Sequence, residues 1–272
     1  MVEQNRQRFA AIASQPDGEI RLDEAALLIA AEADSDFSVK SYLDELDDYA
    51  EGFQSLREGY AVPVTSLINY IHTELGFTGN ISDYYDPANS YLNRVIDNRH
   101  GIPISLALIH LAIGSRLQIP VYGVSFPGHF LVRYGDNPGA IVDPFSGREL
   151  SQTDCKTLLR QIAGPKATLK EEYFAAASSR YILIRMLDNL KQIFWRAKNW
   201  EESKACIDRQ LLLLPGREEF SVQLGAVYEM QGNAPLAQHT YKQVLQASTD
   251  EKLRDLAAKR LLALEAPPPV MH

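Results

Sequence analysis

Cysteine is scarce in this sequence: Cys155 and Cys206 are the only two in 272 residues. Two thiols build neither a disulfide framework nor a cysteine-rich zinc site, and such usage fits a reducing cytoplasm. Positive charge is also short, with 27 Lys and Arg against 35 Asp and Glu, a net of −8. That argues against a general nucleic-acid binder, which carries a basic footprint. No apolar run approaches the roughly 20 residues of a membrane helix. The longest, Ile102 to Ile113, is interrupted by Ser105 and His110. Met1 to Arg6 has no apolar core region and no small-residue cleavage site, so no signal peptide is expected. Gly76-Phe77-Thr78-Gly79 lacks the Lys-Ser/Thr of a phosphate loop, and no His-Glu-x-x-His helix occurs. Glu32, Asp34 and Asp36 alternate like part of a calcium loop without its central Gly. A cytoplasmic protein with no cofactor, no metal, no membrane and no nucleic acid is therefore expected.

The charge is uneven. Residues 1–51 hold 13 acidic side chains against Arg6, Arg8, Arg21 and Lys40, so the rest of the chain is close to neutral at +1. Leu22, Ala26, Ile29 and Ala30 recur at helical spacing, with Asp23 and Glu24 in a first turn where negative charge suits the helix dipole. A second helix is predicted over about 39–56, its outer face Asp44, Glu45, Asp47, Asp48 and Glu51 reading as solvated. A third is predicted near 64–75. Pro103 opens an apolar helix lasting to about Arg116, at the first-turn position that proline favours. Strands follow over 121–125, 130–134 and 140–143, with Gly135 to Gly139 as a turn. This order reads as a helix packed on a small antiparallel sheet, hence a helix-rich α+β fold.

Gly164-Pro165 marks a boundary, and an internal repeat lies beyond it. Leu187, Leu190, Phe194, Ser203, Ile207 and Pro215 stand 34 positions before Ser221, Leu224, Tyr228, Ala237, Tyr241 and Thr249. That is the period of a tetratricopeptide helix–turn–helix unit. Lys191 stands where the repeat usually has Gly, and Ser203 where it has Ala. The domains expected are 1–163, helical repeats over 165–264 with a capping helix at 252–264, and a Pro-rich tail over 265–272.

His129 is the histidine to weigh. It opens a strand after Phe126-Pro127-Gly128, and Asp143 ends the next strand 14 positions later. Antiparallel pairing sets the two side by side, where a carboxylate fixes the imidazole tautomer and raises its basicity. The same spacing equally describes a structural hydrogen bond closing a hairpin, and on spacing alone that is the better reading. His72, His100 and His110 lack paired ligand spacing and read as satisfied polar residues. Cys155 reads as a small apolar residue near a helix start, and Cys206 as repeat packing.

The segments Asn98-Arg99-His100-Gly101-Ile102-Pro103-Ile104-Ser105, Gln118-Ile119-Pro120-Val121-Tyr122-Gly123-Val124, Phe126-Pro127-Gly128-His129-Phe130 and Val142-Asp143-Pro144-Phe145 resemble the bacterial SirB family. The resemblance covers most of the chain and implies a transglutaminase-like (papain-like) core joined to tetratricopeptide repeats. It matches His129 and Asp143 to the His and Asp of a Cys-His-Asp triad. The sequence departs from the family pattern at the nucleophile. The cysteine belongs at the helix start, where an N-terminus stabilises a thiolate, and Pro103, Ile104 and Ser105 stand there instead.

Two functions follow as expectations. The first is a non-catalytic protein binding a peptide or protein segment. The alternative is acyl transfer or amide hydrolysis, with His129 as base, Asp143 as orienter and Ser105 as substitute nucleophile. Asn98 and Arg99 are candidates for holding a carboxylate or backbone carbonyl, against an Asn helix terminus and an Arg paired with Asp97 or Asp143. Tyr84, Tyr85 and Tyr91 form an aromatic loop that lines a groove or caps a small core.

Overall fold

A computed structural model describes residues 2–34, 36–56 and 64–265. It divides into two compact units, residues 1–186 and 187–272. In the first, α1 (Val2–Ala13), α2 (Leu22–Ala33) and α3 (Val39–Ser55) precede α4 (Val64–Asn69), which runs on as a π-helical turn over Tyr70–Glu74. Next come β1 (Thr78–Gly79), α5 (Leu92–Asn98), β2 (His100–Gly101) and α6 (Pro103–Arg116). β1 and β2 pair in parallel. β3 (Val121–Val124), β4 (Leu131–Tyr134), β5 (Ala140–Asp143) and β6 (Arg148–Leu150) make one antiparallel sheet in that order. α7 (Gln152–Ala163) and the start of α8 (Ser179–Arg196) complete the unit.

α2 is buried all round rather than on one face: Ala25 to Ala31 are all inaccessible, while Leu22 is only half-buried. α1, α3, α5 and α6 surround it, so small and branched apolar side chains are needed on every side. α6 is the second hub, buried from Pro103 to His110 and packed on β3 and β4. The acidic face of α3 is not simply solvated. Arg116 at the end of α6 reaches Asp23 at 2.8 Å and Asp47 at 2.5 Å, and Arg99 reaches Glu45 at 3.3 Å.

The division falls after Met186, within α8, and not at Gly164-Pro165. The segment beyond Gly164 belongs to the first unit because it pairs with the sheet and fills its flank. Ala176 bridges Val124, Ala177 N donates to Gly123 O at 2.8 Å, and Phe174 packs on Phe126. Ile182 and Met186 of α8 are buried.

The second unit continues α8 and adds α9 (Trp200–Leu213), α10 (Glu218–Met230), α11 (Ala234–Ala247) and α12 (Glu251–Glu265). The 34-residue period is visible in the backbone. Asn199 N donates to Phe194 O and Asn233 N to Tyr228 O, both at 2.8 Å. Asn199 then caps α9 through the Glu202 amide, and Asn233 caps α11 through the Leu236 amide. Lys198 and Gly232 both take positive φ, 57° and 74°. A Cβ on Gly225 would lie 2.6 Å from the Tyr241 ring, and at the matching positions of the preceding pair stand Lys191 and the smaller Ile207. The Lys191 ammonium is held by Asp188, Gln210 and Gln223 at 2.7–2.8 Å. The Pro-rich tail past Glu265 lies outside the described residues.

Candidate functional site

His129 is set by a tight turn. Its amide donates to Phe126 O at 3.0 Å, and Gly128 takes φ +68° after Pro127, the residue pair that a type II turn requires. β4 pairs with β5 in the register Val132 with Val142, which brings the end of β5 beneath this turn. His129 Nε2 and Asp143 Oδ1 are 2.9 Å apart, with side chains 18% and 17% exposed. Asp143 is held from two further directions: Phe145 N donates to Oδ1 at 3.0 Å and Ser146 Oγ to Oδ2 at 2.8 Å. Burial works against ionisation of Asp143, and these hydrogen bonds with the one from His129 outweigh it, so its carboxyl titrates below the ordinary value. With Asp143 ionised, His129 carries its proton on Nε2, leaving Nδ1 as the lone-pair nitrogen. Nδ1 has no hydrogen-bond partner among the described residues. An oriented imidazole of this kind can take a proton from a nucleophile or hold a polar ligand.

The nucleophile position is occupied differently. Ser105 is 0% exposed, and its hydroxyl donates to Asn89 O at 2.5 Å while accepting from Ile102 N at 3.0 Å. It shares no hydrogen bond with His129 or Asp143, so the structure does not bring the three expected residues together. The bond to Asn89 serves the aromatic loop. Asn89 Nδ2 donates to Asp83 O at 2.6 Å, and Asn80 donates to Asn89 Oδ1 at 3.0 Å, which fixes the backbone leading into Tyr84.

Residues 40–188 match the model of the transglutaminase-like superfamily. A UPF0162 protein of Xylella fastidiosa is 35% identical over 243 residues, 86% of each chain. This chain is a UPF0162-family protein with a transglutaminase-like domain. A UPF0162 protein of Pseudomonas aeruginosa is 36% identical over 174 residues, covering 63% of this chain and 64% of that one. Human F-box only protein 21 is 28% identical over 179 residues, 61% of this chain but 28% of that protein. No solved structure matches the chain.

Both thiols of this UPF0162 protein are buried. Burial and the neighbouring Asp154 charge push Cys155 up to about 11, against the lowering that a helix start normally brings. It packs with Val124, Phe126, Leu131 and Leu159. Burial pushes Cys206 up to about 12.

Asn98 is exposed at the end of α5, and its carbonyl binds His100 Nδ1 at 2.6 Å. Arg99 pairs with neither Asp97 nor Asp143. It lies over the adjoining rings of Tyr49 and Phe77, 4.9 Å from each centroid, and bonds Glu45 and the Tyr49 hydroxyl. Its φ of 59° ends α5 and turns its side chain toward α3 instead of the His129 face.

His72 and His110 are satisfied, as expected, but by each other. His72 Nδ1 is 2.7 Å from Phe77 O, the two Nε2 atoms are 3.0 Å apart, and His110 Nδ1 is 2.5 Å from the Tyr134 hydroxyl. One proton arrangement satisfies all three contacts: Tyr134 donates to His110, His110 to His72, and His72 to Phe77 O. A Cβ on Gly147, in the turn that follows Asp143, would lie 2.6 Å from the His72 ring, so this relay sits directly beneath that turn.

Tyr84, in the predicted aromatic loop, packs 6.0 Å from Phe145. Among the described residues, no group of three or more His, Cys, Asp or Glu side chains is placed to hold a metal. No described helix is long and apolar enough to cross a membrane.

Proposed function

We propose that this protein is a cytoplasmic, non-catalytic transglutaminase-like protein that binds a peptide or protein segment at the His129–Asp143 face. The SirB-like order of domains belongs to this reading, with the 34-residue helix pairs acting as tetratricopeptide-like interaction repeats. The observation that carries it is the Ser105 hydroxyl, sealed from solvent and committed to Asn89 O at the place where a nucleophile belongs. A serine that must both break a buried hydrogen bond and lose its proton has no activating base within its network. A hydrogen-bonding imidazole and an aromatic loop remain beside each other, which suits binding without turnover.

Peptides selected on the full chain from a random display library, followed by hydrogen exchange of the complexes, test the reading. Saturable binding with slowed exchange in 80–86 and 125–146 is expected. The second reading, acyl transfer or amide hydrolysis with Ser105 as nucleophile, draws on the partnerless Nδ1 of His129. Hydrolysis of peptide p-nitroanilides or p-nitrophenyl esters that vanishes in both His129→Ala and Ser105→Ala would establish it and displace the first.

A further inference from the structure

Arg185 is a half-buried arginine with no carboxylate partner among the described residues. Several other arginines in this unit are neutralised: Arg6 by Glu32, Arg8 by Glu24, Arg94 by Asp34, Arg99 by Glu45 and Arg116 by Asp23. Arg185 instead donates once, from Nη1 to Ser125 Oγ at 2.9 Å, and its guanidinium carbon lies 5.9 Å from the Phe130 ring centroid. The hydroxyl engages one of its five donors, and the guanidinium makes no other hydrogen bond among the described residues.

Its position gives the open donors a use. Phe130 is the residue after His129. Tyr84 packs on Phe145, whose amide holds Asp143; burial and the neighbouring Tyr85 raise the Tyr84 hydroxyl, and the Arg185 charge offsets only part of that. Ser125 and Phe130, which Arg185 contacts, flank the turn that sets His129, while Tyr84 and Phe145 adjoin Asp143 across the His129–Asp143 bond. The loop of Tyr84 also exposes apolar surface, Ile81 at 85% and Tyr85 at 62%. A half-desolvated guanidinium prefers a planar anion that accepts two parallel hydrogen bonds, which a carboxylate does.

We propose that Arg185 anchors the carboxylate of a bound peptide whose neighbouring side chain packs on Tyr84 and Phe145 beside the His129–Asp143 pair. The inference rests on the peptide-binding reading above and names the chemistry that the peptide must carry. A chain-end carboxylate and an acidic side chain supply the same group.

The test is fluorescence anisotropy on the full chain with four degenerate tetrapeptide pools bearing an N-terminal fluorescein. One pool has a free C-terminus, one an amidated C-terminus, one a fixed Glu with an amidated C-terminus, and one a fixed Gln with an amidated C-terminus. The expected result is at least tenfold tighter binding of the free-acid pool, the Glu pool, or both, over the neutral counterpart. Which of them wins identifies the source of the carboxylate. Arg185→Gln abolishes that preference and Arg185→Lys keeps part of it, both with an unchanged circular-dichroism spectrum. The acid-against-neutral comparison on wild type stands even if a variant fails to fold. Equal binding of acid and neutral pools overturns the inference and leaves the peptide-binding reading intact. An acid preference that survives in folded Arg185→Gln also overturns it. Absence of saturable binding in all four pools sinks both.

Discussion

Ser105 Oγ donates to the carbonyl of Asn89 at 2.5 Å, and this bond joins the start of α6 to the loop that carries Tyr84 and Tyr85, beside the backbone bonds from Ile102 N to Asn89 O and from Asn80 N to Gly101 O. Ser105 is thereby a positioning residue. Ser105→Ala removes two hydrogen bonds from a site with no solvent and leaves the Asn89 carbonyl and the Ile102 amide only their own 3.4 Å contact, a loss of about 1–3 kcal/mol. Urea unfolding measures that loss directly. Amide exchange over 80–89 should quicken by more than the global destabilisation explains, since Asn89 also holds Asp83 O and Asn80. Unchanged exchange in that loop would detach Ser105 from it.

Asp143 makes the fold acid-sensitive in a defined direction. Burial alone would raise its pKa, but the hydrogen bonds from His129, Ser146 and Phe145 hold it below the ordinary 3.8. A carboxyl depressed in the folded state contributes stability that is fully present above its unfolded pKa and lost as pH falls through the folded one. Stability due to Asp143 should therefore be constant from pH 7 to about 5 and decline below about 4. Asp143→Asn should cost about 1–3 kcal/mol at pH 7 and flatten the decline below pH 4. Guanidinium melts of both proteins at pH 7 and pH 3.5 measure it, and parallel loss in the two would remove Asp143 from the acid response.

His72 and His110 act in a higher window. Burial lowers both below the ordinary 6.5, only partly offset at His72 by Phe77 O and the Asp143 charge. At His110, burial and the neighbouring His72 lower the ring further, against the pull of Asp143. The folded state keeps both neutral while the unfolded chain protonates near 6.5, so stability is lost as pH falls below that value. His110→Phe should show a smaller drop between pH 7 and pH 5.5 than wild type. It should also be less stable at pH 7 by about 1–3 kcal/mol, because the Tyr134 hydroxyl loses its acceptor. Adding Tyr134→Phe should recover part of that loss while leaving the pH slope shallow.

Much of this arrangement is legible in the residues themselves. Helical spacing places α2, α3 and α6, alternation and turn residues place β3 to β5, and the 14-residue separation of His129 and Asp143 joins them across one hairpin. Local pattern fails where a partner lies far along the chain. Nothing near Arg99 says that its counter-ion is Glu45, 54 positions earlier, and nothing near Ser105 says that Asn89 is its acceptor. The pairing of His72 with His110 spans 38 positions. Arg185 carries no local signal at all, because its significance is the lack of a carboxylate partner, which only the folded neighbourhood can show. The boundary was displaced for a similar reason: Gly164-Pro165 ends α7 as a local stop should, but a stop in a helix does not end a core.

Lys198 and Gly232 occupy the same place in successive helix pairs, and only one of them is suited to it. Each precedes an asparagine cap with positive φ, 57° for Lys198 and 74° for Gly232. A left-handed conformation costs a residue with a Cβ about 1–2 kcal/mol, and glycine escapes most of that. Glycine gives back part of the gain through the greater freedom of its unfolded chain. Lys198→Gly should therefore stabilise the protein by about 0.5–1 kcal/mol. Gly232→Lys should destabilise it by a comparable amount, since nothing lies within 4 Å of a Cβ built there and only the backbone conformation is at issue. Lys198 makes none of the salt bridges found among the described residues, so the first change removes no ion pair that could mask the gain. Paired unfolding midpoints of the two variants measure it: shifts of opposite sign support an equivalent backbone turn in the two helix pairs, and shifts of the same sign would end that equivalence.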